Sequence, residues 1–307
     1  MNLLITGASG FLGSRLINGL SYLNKIYAIT RNNKLTFNTQ NINILNIDFS
    51  EKFIDFSFLK NIDIVIHLAG LNESQCNINY SLAKKINYEF TKELFENCLK
   101  FKVKKFIKIS SIKVYGLDLN HNITENSSLK PFNNYSKFHT LSDQYLINNK
   151  HKNINTIILR LSNCYGHPFF INYKKKLNIL FDFFYEANNE NHININSKQD
   201  VNKNFISIID FIKVINFFIY NFNKTDIFNI GSKDSINLLN IAEKIAFFFK
   251  SKYNKKIYIN HTIKPIYIKN KKFFYNCEKM FNITNLRFDT INEDEFINMK
   301  KYLEKYD

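Results

Sequence analysis

The sequence predicts an α/β protein built on a doubly wound parallel sheet, with a small, discontinuous C-terminal lobe. Three observations predict it. Short apolar runs alternate with amphipathic helical patterns through the first half of the chain, and the runs are apolar at nearly every residue. Such runs are typical of parallel strands covered by helices on both faces. A glycine-rich turn follows the first run directly, as it does in wound sheets that bind ligands at the strand ends.

The predicted strands of the wound domain are short, and amphipathic patterns predict its helices. The strands are Leu3–Thr6, Ile26–Thr30, Ile42–Ile47, Ile64–His67, Phe106–Ser110 and Ile154–Arg160. The helices are Phe11–Tyr22, Tyr80–Phe101 and Tyr135–Asn149. Because crossovers between parallel strands are right-handed, this succession winds into one sheet.

The alternation ends after Asn163, and the rest of the chain predicts a smaller lobe. The elements there are helix Leu177–Ala187, strand Phe205–Ser207, a helix through Phe218, strand Ile227–Ile230, helix Leu238–Phe249, strand Ile257–Asn260 and helix Glu293–Tyr302. We therefore expect a wound domain over residues 1–163 plus about 201–230, and a substrate lobe over about 164–200 plus 231–307.

Composition and charge exclude several classes of protein. The chain has 307 residues, of which 45% are hydrophobic, so a globular core is expected. Its formal net charge is +16. The basic residues are spread along the chain, which argues against a nucleic-acid partner and favours steering of an anionic small substrate.

The cysteines and the apolar runs indicate a cytoplasmic protein. The four cysteines are scattered without a Cys-x-x-Cys pair, so we expect free thiols, a reducing compartment and no metal site. No run reaches the ~18 unbroken apolar residues of a membrane span. The first residues lack the basic start of a signal peptide, so no membrane association is expected.

Three glycines, Gly7, Gly10 and Gly13, lie between the first strand and its helix. In this position one glycine permits a tight turn, one lets the backbone approach a pyrophosphate, and one allows close packing of helix on strand. The helix N-terminus then offers unpaired N–H groups and the positive end of the helix dipole. The pattern predicts a dinucleotide-binding (Rossmann) domain.

Arg31, at the end of the second predicted strand, bears on the choice of dinucleotide. An acidic residue here would accept hydrogen bonds from the adenosine ribose, whereas an arginine suits a 2′-phosphate. NADP(H) is therefore favoured over NAD(H), with a solvated loop arginine as the alternative. Asp48, after the third strand, is a candidate acceptor for the adenine amino group or an N-cap of the next segment.

Motifs spread over nearly the whole chain form one ordered set. They are T-G-A-S-G-F-L-G (6–13), D-I-V-I-H-L-A-G (63–70), Asn87, I-S-S-I-K-V-Y-G (109–116), Tyr135, R-L-S-N-C-Y-G (160–166), N-F-I-S-I-I-D (204–210) and F-N-I-G-S (228–232). In this order they resemble the extended short-chain dehydrogenase/reductases, which include nucleotide-sugar epimerases, dehydratases and reductases. The resemblance implies that the cofactor contacts Gly7, Ser9, Gly10, Phe11, Leu12, Gly13, Arg31, Asp48, Phe49, Leu68, Ala69, Gly70, Asn87, Ile109, Tyr135 and His139.

The resemblance also implies the reacting and substrate-binding groups. Tyr135 is implied as the acid/base that moves a proton at a sugar hydroxyl or ketone, and Ser111 as the group that orients the same oxygen. Asn163 and Lys203 are implied to contact a nucleotide-sugar substrate, with a backbone cap and a solvated lysine as their alternatives. A weaker candidate for the diphosphate, with a solvated face as its alternative, is the basic group of Lys269, Lys271 and Lys272.

One position departs from the family's Tyr-x-x-x-Lys pattern, because His139 stands four residues after Tyr135. At ~100° per residue the two side chains share one helix face. A histidine is largely neutral near pH 7, so the pKa of Tyr135 is expected to stay near its reference of ~10. A neutral tyrosine donates a proton better than it accepts one, which favours ketone reduction. His139→Lys is accordingly expected to improve alcohol oxidation.

Residues 112 and 113 discriminate among the family's reactions. Nucleotide-sugar 4,6-dehydratases carry Asp-Glu here, whereas this chain has Ile112 and Lys113, which cannot supply acid and base for water elimination. We predict an NAD(P)-dependent 4-keto-sugar reductase of surface-polysaccharide biosynthesis that forms a homodimer. A nucleotide-sugar 4-epimerase and a catalytically weak nucleotide-binding sensor are the alternatives.

Overall fold

The computed structural model describes residues 1–31, 36–37, 39–51, 53–116, 122–150, 153–170, 178–196, 202–261 and 273–306. The chain divides into two compact units. Unit 1 contains residues 1–118, 125–161 and 212–229, and unit 2 contains residues 119–124, 162–211 and 230–307. Residues 202–211, which we expected in the wound domain, therefore belong to unit 2.

Most elements lie within a few residues of their predicted bounds. The strands are β1 (Asn2–Thr6), β2 (Lys25–Thr30), β3 (Ile42–Asn46), β4 (Ile64–His67), β5 (Lys105–Ser111), β6 (Asn122–Ile123), β7 (Asn155–Leu161), β8 (Asn163–Tyr165), β9 (His192–Ile195), β10 (Lys203–Ser207), β11 (Asp226–Ile230), β12 (Ser235–Ile236), β13 (Tyr258–His261) and β14 (Phe274–Tyr275). The helices are α1 (Phe11–Leu20), α2 (Glu73–Ile78), α3 (Tyr80–Lys84), α4 (Phe90–Lys100), α5 (Asn134–Asn148), α6 (Ile179–Glu190), α7 (Ile208–Asn221), α8 (Leu238–Tyr253), α9 (Glu278–Thr284) and α10 (Glu293–Tyr306).

Unit 1 is built on a seven-stranded sheet with the strand order β11-β7-β5-β4-β1-β2-β3. The pairings from β3 across to β7 are parallel. The chain winds from β1 through β2 to β3, then returns to β4 on the other side of β1 and continues outward. The direction thus reverses between β1 and β4, which is the switch point of a doubly wound sheet. The predicted fold class is confirmed.

The central strands are buried along their whole length because helices cover both faces. Every residue of β4 and of β5 is buried. On one face the strand residues Leu4, Val65 and Phe106 pack against Leu94 and Phe95 of α4. Full burial of one such side chain contributes ~1.5–3 kcal/mol, so this layer holds the strands in register.

The long helix predicted over Tyr80–Phe101 is interrupted. A π-helical turn at Lys85–Glu89 joins α3 to α4, and the helical pattern gave no sign of it. The preceding helix α2 also escaped the sequence analysis, although Asn72 and Gln75 form a capping box at its start. The π turn carries Asn87, which is buried although it is polar.

Unit 2 contains a three-stranded sheet in which β10 lies between β8 and β12. β10 pairs parallel with β8 and antiparallel with β12. This pairing explains why β10 belongs to unit 2, because both of its partner strands lie in that unit. A separate apolar cluster, formed by residues that include Tyr165, Phe184, Phe205, Ile245, Phe249 and Phe296, fills the unit.

Two kinds of feature are not found among the residues that the structure describes. None of their helices is long and apolar enough to cross a bilayer. No three of their histidine, cysteine and acidic side chains are grouped as metal ligands would be. The four cysteines are free thiols.

Asn204 of β10 joins that strand to the turn after β11, within unit 2. Its Nδ2 donates to the carbonyl oxygens of Ser232 (2.9 Å) and Asp234 (3.0 Å), and its Oδ1 accepts from the Ser232 N–H at 3.1 Å. Gly231 makes room for this contact, since a Cβ there would lie 2.1 Å from Asn204 Oδ1. The amide therefore satisfies three backbone groups of the turn, and residue 231 must be a glycine to leave room for it.

Asn204→Ala is expected to lower the free energy of unfolding by about 2–4 kcal/mol, because buried backbone groups lose their partner. Asn260→Ala, at an exposed position of β13, is the control and is expected to change it by less than about 0.5 kcal/mol. Urea unfolding followed by circular dichroism measures both. Equal losses of unfolding free energy in the two variants would contradict the structural role assigned to Asn204.

Candidate active site

The turn after β1 brings the start of α1 into contact with the strand backbone. Gly7 has φ +75°, and the Gly10 N–H donates to the Gly7 carbonyl oxygen at 3.0 Å. A Cβ on Gly13 would lie 2.2 Å from that same oxygen. Positions 7 and 13 therefore require glycine, one for its backbone conformation and one for the close packing of helix on strand.

The N-terminus of α1 is open to a ligand. Its N-cap is Gly10, which has no side chain to accept from the first N–H groups of the helix. A Cβ on Gly10 would meet the Gly7 oxygen at 3.3 Å, and among the described residues no side chain beyond its chain neighbours approaches it within 4 Å. Ser9 is exposed, and Phe11 and Leu12 are half-buried. These features fit the phosphate groups of a dinucleotide.

Thr6 fastens the end of β1 to the end of β4, and the sequence analysis did not single it out. Its Oγ1 accepts from the N–H groups of Leu68 (3.1 Å) and Ala69 (3.0 Å) and is 2.8 Å from His67 Nδ1. A Cβ at Gly7 would lie 3.0 Å from the Ala69 nitrogen. The predicted cofactor residues at 7–13 and 68–70 thus lie side by side at the switch point.

Asn87 holds the segment that follows β4. Its Oδ1 accepts from the Leu71 N–H at 2.7 Å, and its Nδ2 donates to the Leu71 carbonyl at 3.0 Å. A Cβ on Gly70 would lie 3.5 Å from Asn87 Nδ2. Both polar ends of the Asn87 side chain are thus engaged by the backbone, so the structure gives this predicted cofactor residue a positioning role.

Arg31 and Asp48 lie near one another at the ends of β2 and β3. Asp48 accepts from the Ser50 N–H at 2.8 Å. That hydrogen bond is the main cause of its lowered pKa, and the charge of exposed Arg31 lowers the pKa further. Phe49, predicted to contact the cofactor, stacks its buried ring on Phe90 with ring centroids 3.7 Å apart. The Phe49 side chain is therefore a core residue.

Ser111 ends β5 and Tyr135 is the second residue of α5, and the structure brings their side chains close together. The Ser111 hydroxyl is near enough to lower the pKa of the Tyr135 phenol. Ser111 Oγ accepts from the Lys113 N–H at 3.2 Å, which orients the hydroxyl. Burial raises the pKa of Tyr135 to about 12, although the nearby Ser111 hydroxyl acts to lower it. This value is higher than the ~10 expected from the sequence, because the tyrosine hydroxyl is also desolvated.

His139 lies one helical turn after Tyr135 on the same face of α5. The two rings meet edge to face with centroids 4.5 Å apart. Burial, together with the positive charge of Lys108, lowers the pKa of His139 to about 3. The imidazole is therefore neutral throughout the physiological pH range.

A buried polar cluster beneath α5 was missed by the sequence analysis. Asp143 accepts from Lys108 Nζ at 2.8 Å, from Ser110 Oγ at 2.9 Å and from Arg160 Nε at 3.1 Å. Lys108 and Asp143 have side-chain exposures of 2% and 1%. The sequence did offer one signal, which is a lysine within the apolar run of β5. Because a buried ammonium group requires a partner, this lysine indicates a buried ion pair.

The remaining predicted residues are accounted for separately. Ile109 is buried in β5 of unit 1. Asn163 and Lys203 lie in unit 2, where Asn163 Nδ2 donates to the Asn204 carbonyl at 2.8 Å and Lys203 aligns with Ile236 across the strands. The predicted basic group of Lys269, Lys271 and Lys272 lies outside the described residues.

Comparison with known proteins assigns the family. The family model described as "NAD dependent epimerase/dehydratase family" matches residues 3–231, from β1 through β11. The chain belongs to this family. Membership confirms the resemblance that the motifs predicted, and it supports the prediction that the protein is an enzyme.

Curated relatives of this epimerase/dehydratase family member bear the names of three reactions. The chain is 28% identical to the ADP-L-glycero-D-manno-heptose-6-epimerase of Brachyspira hyodysenteriae over 81% of each chain. It is 29% identical over 79% of its length to a dTDP-D-glucose 4,6-dehydratase of Dictyostelium discoideum, of which it spans 61%. It is 28% identical to a dTDP-4-dehydro-6-deoxyglucose reductase of Escherichia coli over 83% of each chain.

A solved structure has the same fold as this family member. The UDP-glucuronic acid 4-epimerase from Bacillus cereus, in complex with UDP-glucuronic acid and NAD, has a TM-score of 0.79 to this chain. The match covers 99% of both chains at 21% identity. At that identity the likeness establishes the fold.

Gly13→Ala is expected to weaken binding of NAD(H) and NADP(H) at least about tenfold. The new methyl group must displace the Gly7 carbonyl, and such overpacking costs about 1–3 kcal/mol. Asn18→Ala, at an exposed position of α1, is the matched control. Calorimetric titration measures cofactor binding by both variants. Unchanged binding by the Gly13 variant would contradict the assignment of residues 7–13 as the turn that binds the dinucleotide phosphates.

Proposed function

We propose that this protein is an NAD(P)-dependent oxidoreductase that acts on a nucleotide-activated sugar and reduces its 4-keto group. The observation that carries the proposal is the proximity of the Ser111 and Tyr135 side chains at the carboxyl edge of the sheet, where Ser111 acts on the pKa of the phenol. In the proposed reaction Tyr135 gives its proton to the substrate oxygen, and Ser111 orients that oxygen.

The residues at the ends of β1, β2 and β4 are suited to hold the dinucleotide. In the proposed complex the N-terminus of α1, whose N-cap has no side chain, binds the pyrophosphate, and exposed Arg31 pairs with a 2′-phosphate. A bound nicotinamide supplies the hydride. Arg31 supports NADP(H) over NAD(H), although the relative from Bacillus cereus was solved with NAD.

The protonation state of Tyr135 supports reduction. With a pKa of about 12, only about 10⁻⁵ of the tyrosine is ionised at pH 7. The phenol is thus available as a proton donor, whereas alcohol oxidation requires the scarce phenolate. The neutral His139 brings no charge that would change this balance.

The residues next to Ser111 argue against dehydration. Ile112 has no titratable group, and the Lys113 ammonium is paired with the carboxylate of Glu73. Neither supplies the acid and base that water elimination needs. A 4-epimerase is the second candidate, because epimerases stand among both the sequence relatives and the similar structures.

Tyr135→Phe is expected to lower the rate of ketone reduction about 10²–10⁴-fold, because the proton donor is lost. The assay mixes protein, NADPH and dTDP-4-dehydro-6-deoxyglucose and follows absorbance and sugar product. Tyr22→Phe, at an exposed position, is the control. Isomerisation of a sugar without net cofactor consumption would favour the epimerase, and binding without turnover would favour a nucleotide sensor.

The pH profile tests the direction of the reaction. Below a pKa of about 12 each pH unit increases the phenolate fraction about tenfold, so oxidation is expected to rise steeply from pH 7 to 9. Reduction uses the neutral phenol and is expected to change less than about twofold over that range. A rate of oxidation that is independent of pH would contradict Tyr135 as the group that titrates.

Arg31→Asp is expected to reverse the preference between cofactors. The substitution removes the charge proposed for the 2′-phosphate and adds an acceptor for the ribose hydroxyls, so NADPH affinity falls by about tenfold or more while NADH affinity is kept or improved. Asn43→Asp, at an exposed position of β3, controls for the added negative charge. Unchanged affinities for both cofactors would show that Arg31 is a solvated loop residue.

The proposal extends to the substrate and the assembly. Asn163 and Lys203 are proposed to contact the nucleotide-sugar diphosphate, where a lysine offers a point charge without the bidentate geometry of arginine. A cytoplasmic homodimer that serves surface-polysaccharide biosynthesis stays a prediction from the sequence.

A further inference from the structure

Lys108 is a buried cation that the proposed reaction has not used. It lies in β5, three residues before Ser111, and its side chain is 2% exposed. Its Nζ is 2.8 Å from Asp143 Oδ1 and 3.4 Å from His139 Nδ1. The lysine therefore contacts the residue that stands at the lysine position of the family motif.

The chemistry of the two groups fixes the tautomer of His139. An ammonium group donates hydrogen bonds and accepts none, so Nδ1 of His139 must be the acceptor. The single proton of the neutral imidazole is then on Nε2, across the ring. An imidazolium is excluded here, because both of its nitrogens carry protons and Lys108 is already charged.

A cation on the strand stands beside the uncharged His139. Lys108 and Arg160 both pair with Asp143, so the carboxylate holds the Lys108 ammonium in this position. The family motif carries its lysine on the helix at residue 139; in this chain an ammonium group contacts that residue from β5.

We propose that Lys108 is a positioning residue that carries the site's cation in place of a lysine at 139, and that it holds His139 as a neutral Nε2–H donor for the bound dinucleotide. The cofactor-facing part of this inference rests on the proposed function. The tautomer itself does not, because it follows from contacts within unit 1.

The groups around His139 keep its pKa below the physiological pH range, so the imidazole does not titrate there. Lys108 faces it from β5, Asp143 and Tyr135 from its own helix, and His67 from β4. His67 has a pKa of about 3 because it is buried, so it stays neutral. Asp143 alone favours protonation of His139, and that carboxylate is already shared by Lys108, Ser110 and Arg160.

The contact argues against one expectation drawn from the sequence. His139→Lys was expected to improve oxidation by restoring the motif. In the structure that substitution places a second ammonium group beside Lys108, whose partner Asp143 is already shared with Arg160. The single variant is therefore expected to lose activity, and only exchange of both residues recreates the family's charge arrangement.

The first test observes His139 in the cofactor-free protein. Nitrogen-15 NMR of histidine-labelled protein, assigned with His139→Gln, is expected to show the Nε2–H tautomer unchanged from pH 5 to 8. Lys108→Met is expected to mix the tautomers and raise the His139 pKa by at least about one unit. Lys104→Met, which removes an exposed lysine just before β5, is the matched control. An Nδ1–H tautomer in the unmodified protein, or titration near pH 6.5, would overturn the proposal.

The second test moves the charge. Lys108→Met and His139→Lys are each expected to weaken NADPH binding and reduction at least about tenfold, whereas the double variant recovers to within about threefold of the parent. If the losses of the two single variants simply add in the double variant, the proposal that Lys108 replaces a lysine at residue 139 would be overturned. Circular dichroism confirms that each variant is folded. Cofactor binding is measured by fluorescence without any sugar, so an absence of turnover with correct NMR behaviour would reject the proposed function and leave the Lys108 assignment standing.

Discussion

The close approach of α1 to the end of β1 is the constraint on which the candidate site depends. The Gly7 carbonyl occupies the space that a side chain at residue 13 would need. Because no side chain separates helix from strand, the first N–H groups of α1 open at the carboxyl edge of the sheet. Thr6 then ties β4 to β1 at that edge, and β5 ends on the same side because the strands are parallel. The cofactor cradle and the Ser111–Tyr135 pair are consequences of one packing arrangement.

The polar cluster under α5 specifies geometry more than it adds stability. An intact buried ion pair is often close to neutral in free energy, whereas removal of one partner is costly. Asp143 therefore joins α5 to β5 through Lys108 and to β7 through Arg160 in one arrangement. Since Tyr135 lies two turns earlier on the same helix, the cluster sets where its hydroxyl meets Ser111.

The regular elements and the motif residues could be predicted from the sequence because their signals are local. Strand runs, helical spacing and the glycine turn each lie within a few residues. Contacts between distant residues gave no such signal: Lys108 and Asp143 are 35 positions apart, and Asn204 and Ser232 are 28 apart. Phe49, which the resemblance implied as a cofactor contact, has its side chain in the core, because a resemblance in sequence does not specify the direction of each side chain.

The π-helical turn between α3 and α4 makes this segment intolerant of changes in length. A π turn contains one residue more than the α-helical turn that it replaces. Loss of a single residue within Lys85–Glu89 would leave an α-helical turn that still completes about one revolution, so α3 and α4 would keep nearly the same phase. The residues inside the turn would change their positions, and the amide of Asn87 would shift relative to the Leu71 backbone. The additional residue is thus an insertion whose effect stays within one turn, and an alteration as small as one codon would disturb the anchor of the loop after β4.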